Sequence, residues 1–347
     1  MRLSENEILQ WLRETDESQI QELYDTADRV RRETVGDTVH LRGLIEVSNI
    51  CCRQCAYCGI RAGNVTLERY RLTRDEIMRC VRQAVTLRYG TVVMQAGEDY
   101  GIEGDWLAEI IRTIKQETPL AVTLSLGERP DADLHGWMKA GADRYLLRFE
   151  TSDPELFARI HPPASGKTPE SRIDFLKRLR AMGYEIGSGV MVGIPGQSLR
   201  SLAHDIALFS ELDLDMIGIG PYLPHPQTPL GAADTVSPRV DDQVPNTEAM
   251  TYRAVALTRL VCPDANIPST TALATLNLAQ GRELGLQRGA NIIMPNLTPP
   301  EYRIHYEIYP AKACIRETAE QCYGCITSRV EAIGRQIGTG PGGRRSR

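Results

Sequence analysis

The chain has 347 residues, 42% hydrophobic and 24% charged, with 40 Lys and Arg against 45 Asp and Glu and a formal net charge of -5. That length suits one large barrel or two ordinary domains and excludes a small disulfide scaffold. The mildly acidic balance argues against an electrostatic nucleic-acid binder. No apolar run is long enough to cross a bilayer, and the N-terminus lacks the apolar stretch of a signal peptide, so the expected compartment is the cytoplasm.

Residues 1–39 are patterned as two helices preceding the main body. Apolar, β-rich runs then alternate with helix-length segments, which is the signature of a parallel α/β protein. The runs cover 40–47, 91–97, 121–127, 144–150, 185–194, 216–221, 266–271 and 291–294. Eight such units over residues 40–300 predict a complete (β/α)8 TIM-type barrel. A doubly wound open sheet is the runner-up, but no glycine-rich dinucleotide fingerprint follows the first strand. Thr73 with Glu76 spells a capping box at the start of one connecting helix. Residues 301–347 form a C-terminal extension whose end, with Arg344, Arg345 and Arg347, reads as a frayed, solvated tail.

Directly after the first strand, Cys51, Cys55 and Cys58 are spaced Cys-x3-Cys-x2-Cys. Three thiolates hold a 4Fe-4S cluster by three irons and leave the fourth open to a chelating ligand. Structural zinc would need a fourth ligand, and none completes such a set nearby. Cys52 is an extra thiol without an assigned role. A second set, Cys314, Cys322 and Cys325, lies in the extension. Nine cysteines, six of them in these two groups, suit a reducing compartment.

In such barrels the catalytic groups sit at the C-terminal ends of the strands. Period-two alternation puts Arg144, Leu146, Arg148 and Glu150 on one face of the fourth strand. Charges there must pair with each other or with a charged ligand. The same alternation brings Ser125 and Gln95 near strand tops, and Gly97, Glu98 and Asp99 form a turn where small residues permit close approach. The segment Gly193-Ile-Pro-Gly-Gln197 closes the fifth strand.

The cysteine loop, with Tyr57 just before its last thiol, resembles that of the radical SAM superfamily. The resemblance implies that S-adenosylmethionine chelates the open iron, that its reductive cleavage yields a 5'-deoxyadenosyl radical, and that Tyr57 lies near the adenine. A closer resemblance, to the HydE family of FeFe-hydrogenase maturases, runs over nearly the whole chain. It is carried by Val-Thr-Leu-Ser-Leu-Gly-Glu at 122–128, Gly-Ala-Asp-Arg-Tyr-Leu-Leu-Arg at 141–148, Met-Val-Gly-Ile-Pro-Gly-Gln at 191–197, Gly-Ile-Gly-Pro-Tyr at 218–222, Pro-His-Pro-Gln-Thr-Pro-Leu at 224–230 and Ala-Asn-Ile-Ile-Met-Pro-Asn at 290–296.

By that resemblance, Ser125, Glu150 and Arg172 would contact S-adenosylmethionine, alongside Tyr57 and Gln95. Arg148, Met294, Thr270, Tyr306 and Tyr309 would line a deeper substrate cavity. The implied substrate is a small iron complex carrying carbon monoxide, cyanide and cysteine, supplied by HydG and passed on toward HydF, with electrons from a flavodoxin- or ferredoxin-type donor. Arg148 with Arg144 would supply cationic walls for it. The second cysteine set would hold an accessory 2Fe-2S or second 4Fe-4S cluster, with zinc or an empty thiol group as alternatives. Phe149 departs from the family pattern, where a His is expected.

Three rival readings remain at this level. A biotin synthase would need cysteines on inner strands, where this chain has Thr123, Ser125, Arg148 and Ser188. A methylornithine-synthase-like mutase shares the loop and would use Arg148 to clamp an amino acid. A non-catalytic iron–sulfur carrier would have no use for a polar cavity.

Overall fold

The computed structural model describes residues 3–162, 171–232 and 240–344. Its strands are β1 (Thr38–Ser48), β2 (Thr91–Ala96), β3 (Ala121–Ser125), β4 (Arg144–Leu146), β5 (Glu185–Val192), β6 (Met216–Pro221), β7 (Ile292–Ile293) and β8 (Gln336–Ile337). The helices are α1 (Glu5–Arg13), α2 (Glu17–Val35), α3 (Arg74–Thr86), α4 (Gly104–Glu117), α5 (Asp131–Lys139), α6 (Pro154–Ile160), α7 (Arg172–Ala181), α8 (Leu199–Glu211), α9 (Glu248–Val261), α10 (Thr271–Leu276), α11 (Gly281–Leu286), α12 (Pro300–Arg303) and α13 (Ala319–Ala332). Among the described residues no helix is long and apolar enough to cross a membrane.

The strands pair in the order β6-β5-β4-β3-β2-β1-β7, all parallel, and β8 adds to the lower end of β1. Parallel strands covered by helices must be apolar on both faces. β1 and β5 are buried almost throughout; of their polar residues Glu46 faces the cavity, whereas Arg42 and Glu185 sit at the lower end with Gly342 and Arg144. Phe149 is buried in the core and packs against Phe209 of α8, the two rings tilted with centroids 5.8 Å apart, so this position belongs to the core and not to the site.

The barrel is TIM-like but open, not the complete (β/α)8 expected from eight runs. The run 266–271 makes only single bridges, Met216 with Asn266 and Pro268 with Ile292. Pro268 brings no N–H to a ladder, and Thr270 already caps α10, so this stretch turns helical before a strand can extend.

β4 is also shorter than its run. The Ser188 hydroxyl of β5 donates to Leu147 O at 2.8 Å and accepts from Phe149 N at 3.2 Å, standing where a backbone ladder would continue. Beyond it Glu150 takes a left-handed φ of 63°. Arg144 stays at the opposite, lower end of the strand, bonded to Glu185 and Thr91. It is therefore not part of the cationic wall expected with Arg148: alternation assigns a face but not a height along the barrel.

The tail is not frayed at Arg344, whose guanidinium pairs with Asp213, Asp215 and Asp264. Arg345 and Arg347 lie outside the described residues. The capping box of α3 is present as expected, with Thr73 N and Oγ1 both donating to Glu76 Oε2 at 2.7 Å.

Candidate active site

The chain leaves β1 pinned on both sides of the cysteine loop. Ser48 Oγ donates to Asp99 Oδ2 at 2.7 Å, and Asn49 Nδ2 donates to Glu68 O and His305 O. Asp99 is held further by Arg71, so this carboxylate belongs to the scaffold. Gly97 allows the loop to cross the end of β2: a Cβ there would stand 2.2 Å from Ile50 O and 2.7 Å from Cys51 Cβ.

Cys51, Cys55 and Cys58 all face one cavity of about 360 Å³. Cys51 Sγ accepts from the backbone N–H of Arg53 at 3.4 Å and of Glu98 at 3.3 Å. Cys55 Sγ lies 3.1 Å from His161 Nδ1, whose Nε2 is 2.8 Å from the Tyr57 hydroxyl. Burial pushes the Cys55 thiol up to about 12 and also raises Cys51 and Cys58. Thiols so desolvated become thiolates when a cationic metal group supplies the missing counter-charge, and directed N–H groups suit cluster-bound sulfur. The residues therefore fit a cluster held by Cys51, Cys55 and Cys58. Cys52 is exposed, lies outside the lining and sits 3.7 Å from Glu98 Oε1. Among the described residues no three His, Cys, Asp or Glu groups converge tightly enough for a single metal ion.

The cavity walls gather the other expected residues. Glu46, Gln95 and Ser125 share one register row across β1, β2 and β3. Gln95 Nε2 donates to the Tyr306 hydroxyl at 3.2 Å. Tyr306 and Tyr309 arrive from the extension, Thr270 from the cap of α10, and Met294 from just beyond β7. On the opposite wall Arg148 grips Glu150, and its remaining N–H groups reach Gly218 O and Val190 O. Arg172, first residue of α7, donates to Arg148 O and leans on Glu128 and His161. The thirteen residues expected around the first cysteine set thus open into one space.

The second cysteine set lies apart from that cavity. Cys314 has a left-handed φ of 60°, its carbonyl is held by Arg303, and Arg282 Nη2 approaches its sulfur at 3.7 Å. Hydrogen bonding to Cys322, aided by Arg282, pulls the Cys314 thiol down to about 6. Cys325 is exposed.

Several site residues escaped the sequence. His161 is held well below its ordinary range by burial and by Arg172 and Arg53, so it is a neutral bridge between Cys55 and Tyr57. Arg53 ties the loop to Glu98 at 2.9 Å and to Glu128 at 2.5 Å. Glu46 and Lys312 form a buried ion pair on the wall. Glu46 had a signal, a lone carboxylate in an apolar strand, whereas Lys312 and His161 had none. The Gly193–Gln197 segment, by contrast, closes on itself: Gln197 Oε1 accepts from Gly193 N and Ile194 N, and the segment lies outside the lining.

A family model for the radical SAM superfamily matches residues 45–209. The chain is 44% identical to the FeFe hydrogenase maturase subunit HydE of Thermotoga maritima, over 93% of this chain and 88% of that one. It is 27% identical to the 3-methylornithine synthase of Methanosarcina acetivorans, over 84% and 79% of the two chains. The crystal structure of a methylornithine synthase superposes with a TM-score of 0.80 at 24% identity, covering 97% of this chain and 95% of that one, which shows the fold. The chain belongs to the radical SAM superfamily and, within it, to the HydE family of hydrogenase maturases, enzymes that work with a 4Fe-4S cluster and S-adenosylmethionine.

Proposed function

We propose that the enzyme acts on a small iron complex carrying carbon monoxide, cyanide and cysteine during assembly of the FeFe-hydrogenase active site. Cys51, Cys55 and Cys58 would hold the cluster, which, when bound with S-adenosylmethionine, supplies a 5'-deoxyadenosyl radical. Glu150, fixed by Arg148 at 2.8 Å, would take the methionine ammonium, while Ser125, Gln95, Arg172 and Tyr57 would orient the rest of the cofactor. Arg148, Met294, Thr270, Tyr306 and Tyr309 would face the iron complex. The protein's part is orientation and exclusion of water.

The observation that carries this reading is that the three cysteines and all ten of these residues line the same cavity. Arg144 is at the other end of the barrel and forms no cationic wall with Arg148, which reaches the cavity paired with Glu150.

Residues 40–300 would form the catalytic body, 1–39 a helical lead-in and 301–347 the extension. The set Cys314, Cys322 and Cys325 would carry an accessory 2Fe-2S or second 4Fe-4S cluster without catalytic duty. HydG would deliver the substrate, HydF would receive the product, and a flavodoxin or ferredoxin would reduce the cluster, all in the cytoplasm.

The test is anaerobic. Reconstituted protein with reductant, S-adenosylmethionine and the HydG-derived complex should form 5'-deoxyadenosine and consume the complex. Cofactor cleavage that leaves the complex unchanged would refute the reading. A second reading, an amino-acid mutase, is favoured by the methylornithine-synthase likeness. It requires that L-lysine be rearranged under the same conditions.

A further inference from the structure

We infer that Lys312, steered by Glu46, is the residue that recognises the carboxylate of the substrate's amino-acid portion. This rests on the proposed cysteine-bearing substrate and adds a specificity residue to it. The charges around the cavity separate into two poles. Near the cysteine loop and β4, Arg53 is matched by Glu98 and Glu128, Arg172 by Glu128, and Arg148 by Glu150 and two carbonyls. At the other pole, on β1 and the extension, Lys312 meets Glu46 beside Tyr306 and Gln95.

That second pair has an asymmetry. Both Glu46 oxygens are engaged, Oε1 by Lys312 and Oε2 by Asn296 Nδ2 at 2.9 Å. Lys312 Nζ carries three donors, and among the described residues its acceptors are Glu46 and a distant Tyr306 O at 3.5 Å. Lys312 thus keeps a donor to spare on the cavity wall, and a ligand carboxylate can take it without displacing Glu46 or Asn296.

Burial strengthens the point. The Glu46 side chain is 0% exposed and that of Lys312 6%. Burying such a pair is weak as a source of stability, because desolvation consumes most of the attraction. Lys312 also stands on a flexible stem with rotatable donors, so it can turn one toward a ligand while it stays beside Glu46. The Nζ lies 5.3 Å from the Tyr306 ring centroid, so a carboxylate held there would sit against the tyrosine wall proposed for the substrate.

Calorimetry on reconstituted enzyme saturated with S-adenosylmethionine, without reductant, tests the assignment. The probes are S-methyl-L-cysteine and 2-(methylthio)ethylamine, which lacks the carboxylate. Wild type should prefer the first by about tenfold, the discrimination that one charge-assisted contact supplies. Lys312→Met should erase the preference and Lys312→Arg should restore part of it. Should Lys312→Met fail to fold, Glu46→Gln combined with Lys312→Met removes the pair without leaving a buried charge, and the same loss is expected. No preference in wild type, or an equal preference in the variants, overturns the inference. Wild type that keeps the preference yet leaves the iron complex unconsumed overturns the proposed substrate instead.

Discussion

Arg148 holds Glu150 two residues along the same chain segment, with Nε 2.8 Å from Oε1 and Nη2 2.9 Å from Oε2. An extended strand would carry these side chains along one face without folding one back on the other. The left-handed backbone at Glu150 and the Ser188 hydroxyl set into the ladder bring them together. A non-glycine residue held in that region costs on the order of 1 kcal/mol or more, and such strain clusters at functional sites. Here the strained residue is a carboxylate that lines the same cavity as the three cysteines.

Glu150→Gln keeps the shape and the backbone but removes the counter-charge of Arg148. S-adenosylmethionine binding should weaken by about tenfold, roughly 1.4 kcal/mol, and the melting temperature should fall by a few degrees. Equilibrium dialysis measures the first and a thermal scan the second. Undiminished cofactor affinity would show that the ammonium is bound elsewhere.

The two adjacent thiols of the loop should behave oppositely. Cys51 faces the cavity and receives two backbone N–H bonds, whereas Cys52 is exposed and pushed up to about 11 by desolvation and by Glu98. Cys51→Ser should abolish the S-adenosylmethionine-responsive iron–sulfur signal, and Cys52→Ser should retain iron and sulfide near wild-type levels. A Cys52→Ser protein that loses its cluster would reassign the ligand set.

Asp205 on α8 gives the chain a pH dependence away from the site. It is 0% exposed, and burial lifts its carboxyl from 3.8 to about 7 despite bonds from Ser152 N and Oγ. The folded state therefore binds this proton more tightly than the unfolded chain, which titrates near 3.8. The stabilisation is complete below that value and is lost as pH rises toward 7. Asp205→Asn should flatten this part of the stability curve and stabilise the protein above pH 7 by on the order of 1 kcal/mol or more. Urea titrations at several pH values decide it. A wild-type curve that rises from pH 4 to 7 with no flattening in the variant would contradict the buried-proton account.

What was legible in the chain was local. The cysteine spacing, the apolar runs behind β1, β2, β5 and β6, and the Thr73–Glu76 cap each involve neighbours whose geometry follows from short-range rules. What was not legible depends on tertiary closure. Lys312 meets Glu46 across 266 positions, and His161 enters the site from the end of α6, so no periodicity could announce either. The run 266–271 has strand composition, yet Pro268 and the cap at Thr270 divert it. Arg144 and Arg148 share a nominal face, but one lies at the floor and the other at the mouth, because register and not alternation sets height.

The glycine-rich tail shows the same limit and offers the final test. Residues around Gly338–Gly342 lie against the lower end of the barrel: Gly338 N donates to Val39 O at 2.9 Å, Pro341 O accepts from Thr91 Oγ1 at 2.9 Å, and Gly342 O accepts from Arg42 at 2.9 Å. Arg42 is buried enough that its guanidinium is driven down to about 9, so losing that carbonyl would be felt. Arg344 then locks the tail onto Asp213, Asp215 and Asp264 at 2.8, 3.3 and 3.0 Å. Arg344→Ala leaves three acidic groups around an empty position and should cost about 1–2 kcal/mol in urea denaturation. Truncation after Ile337 should cost more, because it also strips Arg42 of an acceptor and opens the floor of the barrel to water. Cofactor affinity should survive Arg344→Ala, since the anchor lies at the end of β1 opposite the cysteine loop. A variant as stable as wild type would mean that the tail rests on the barrel without holding it.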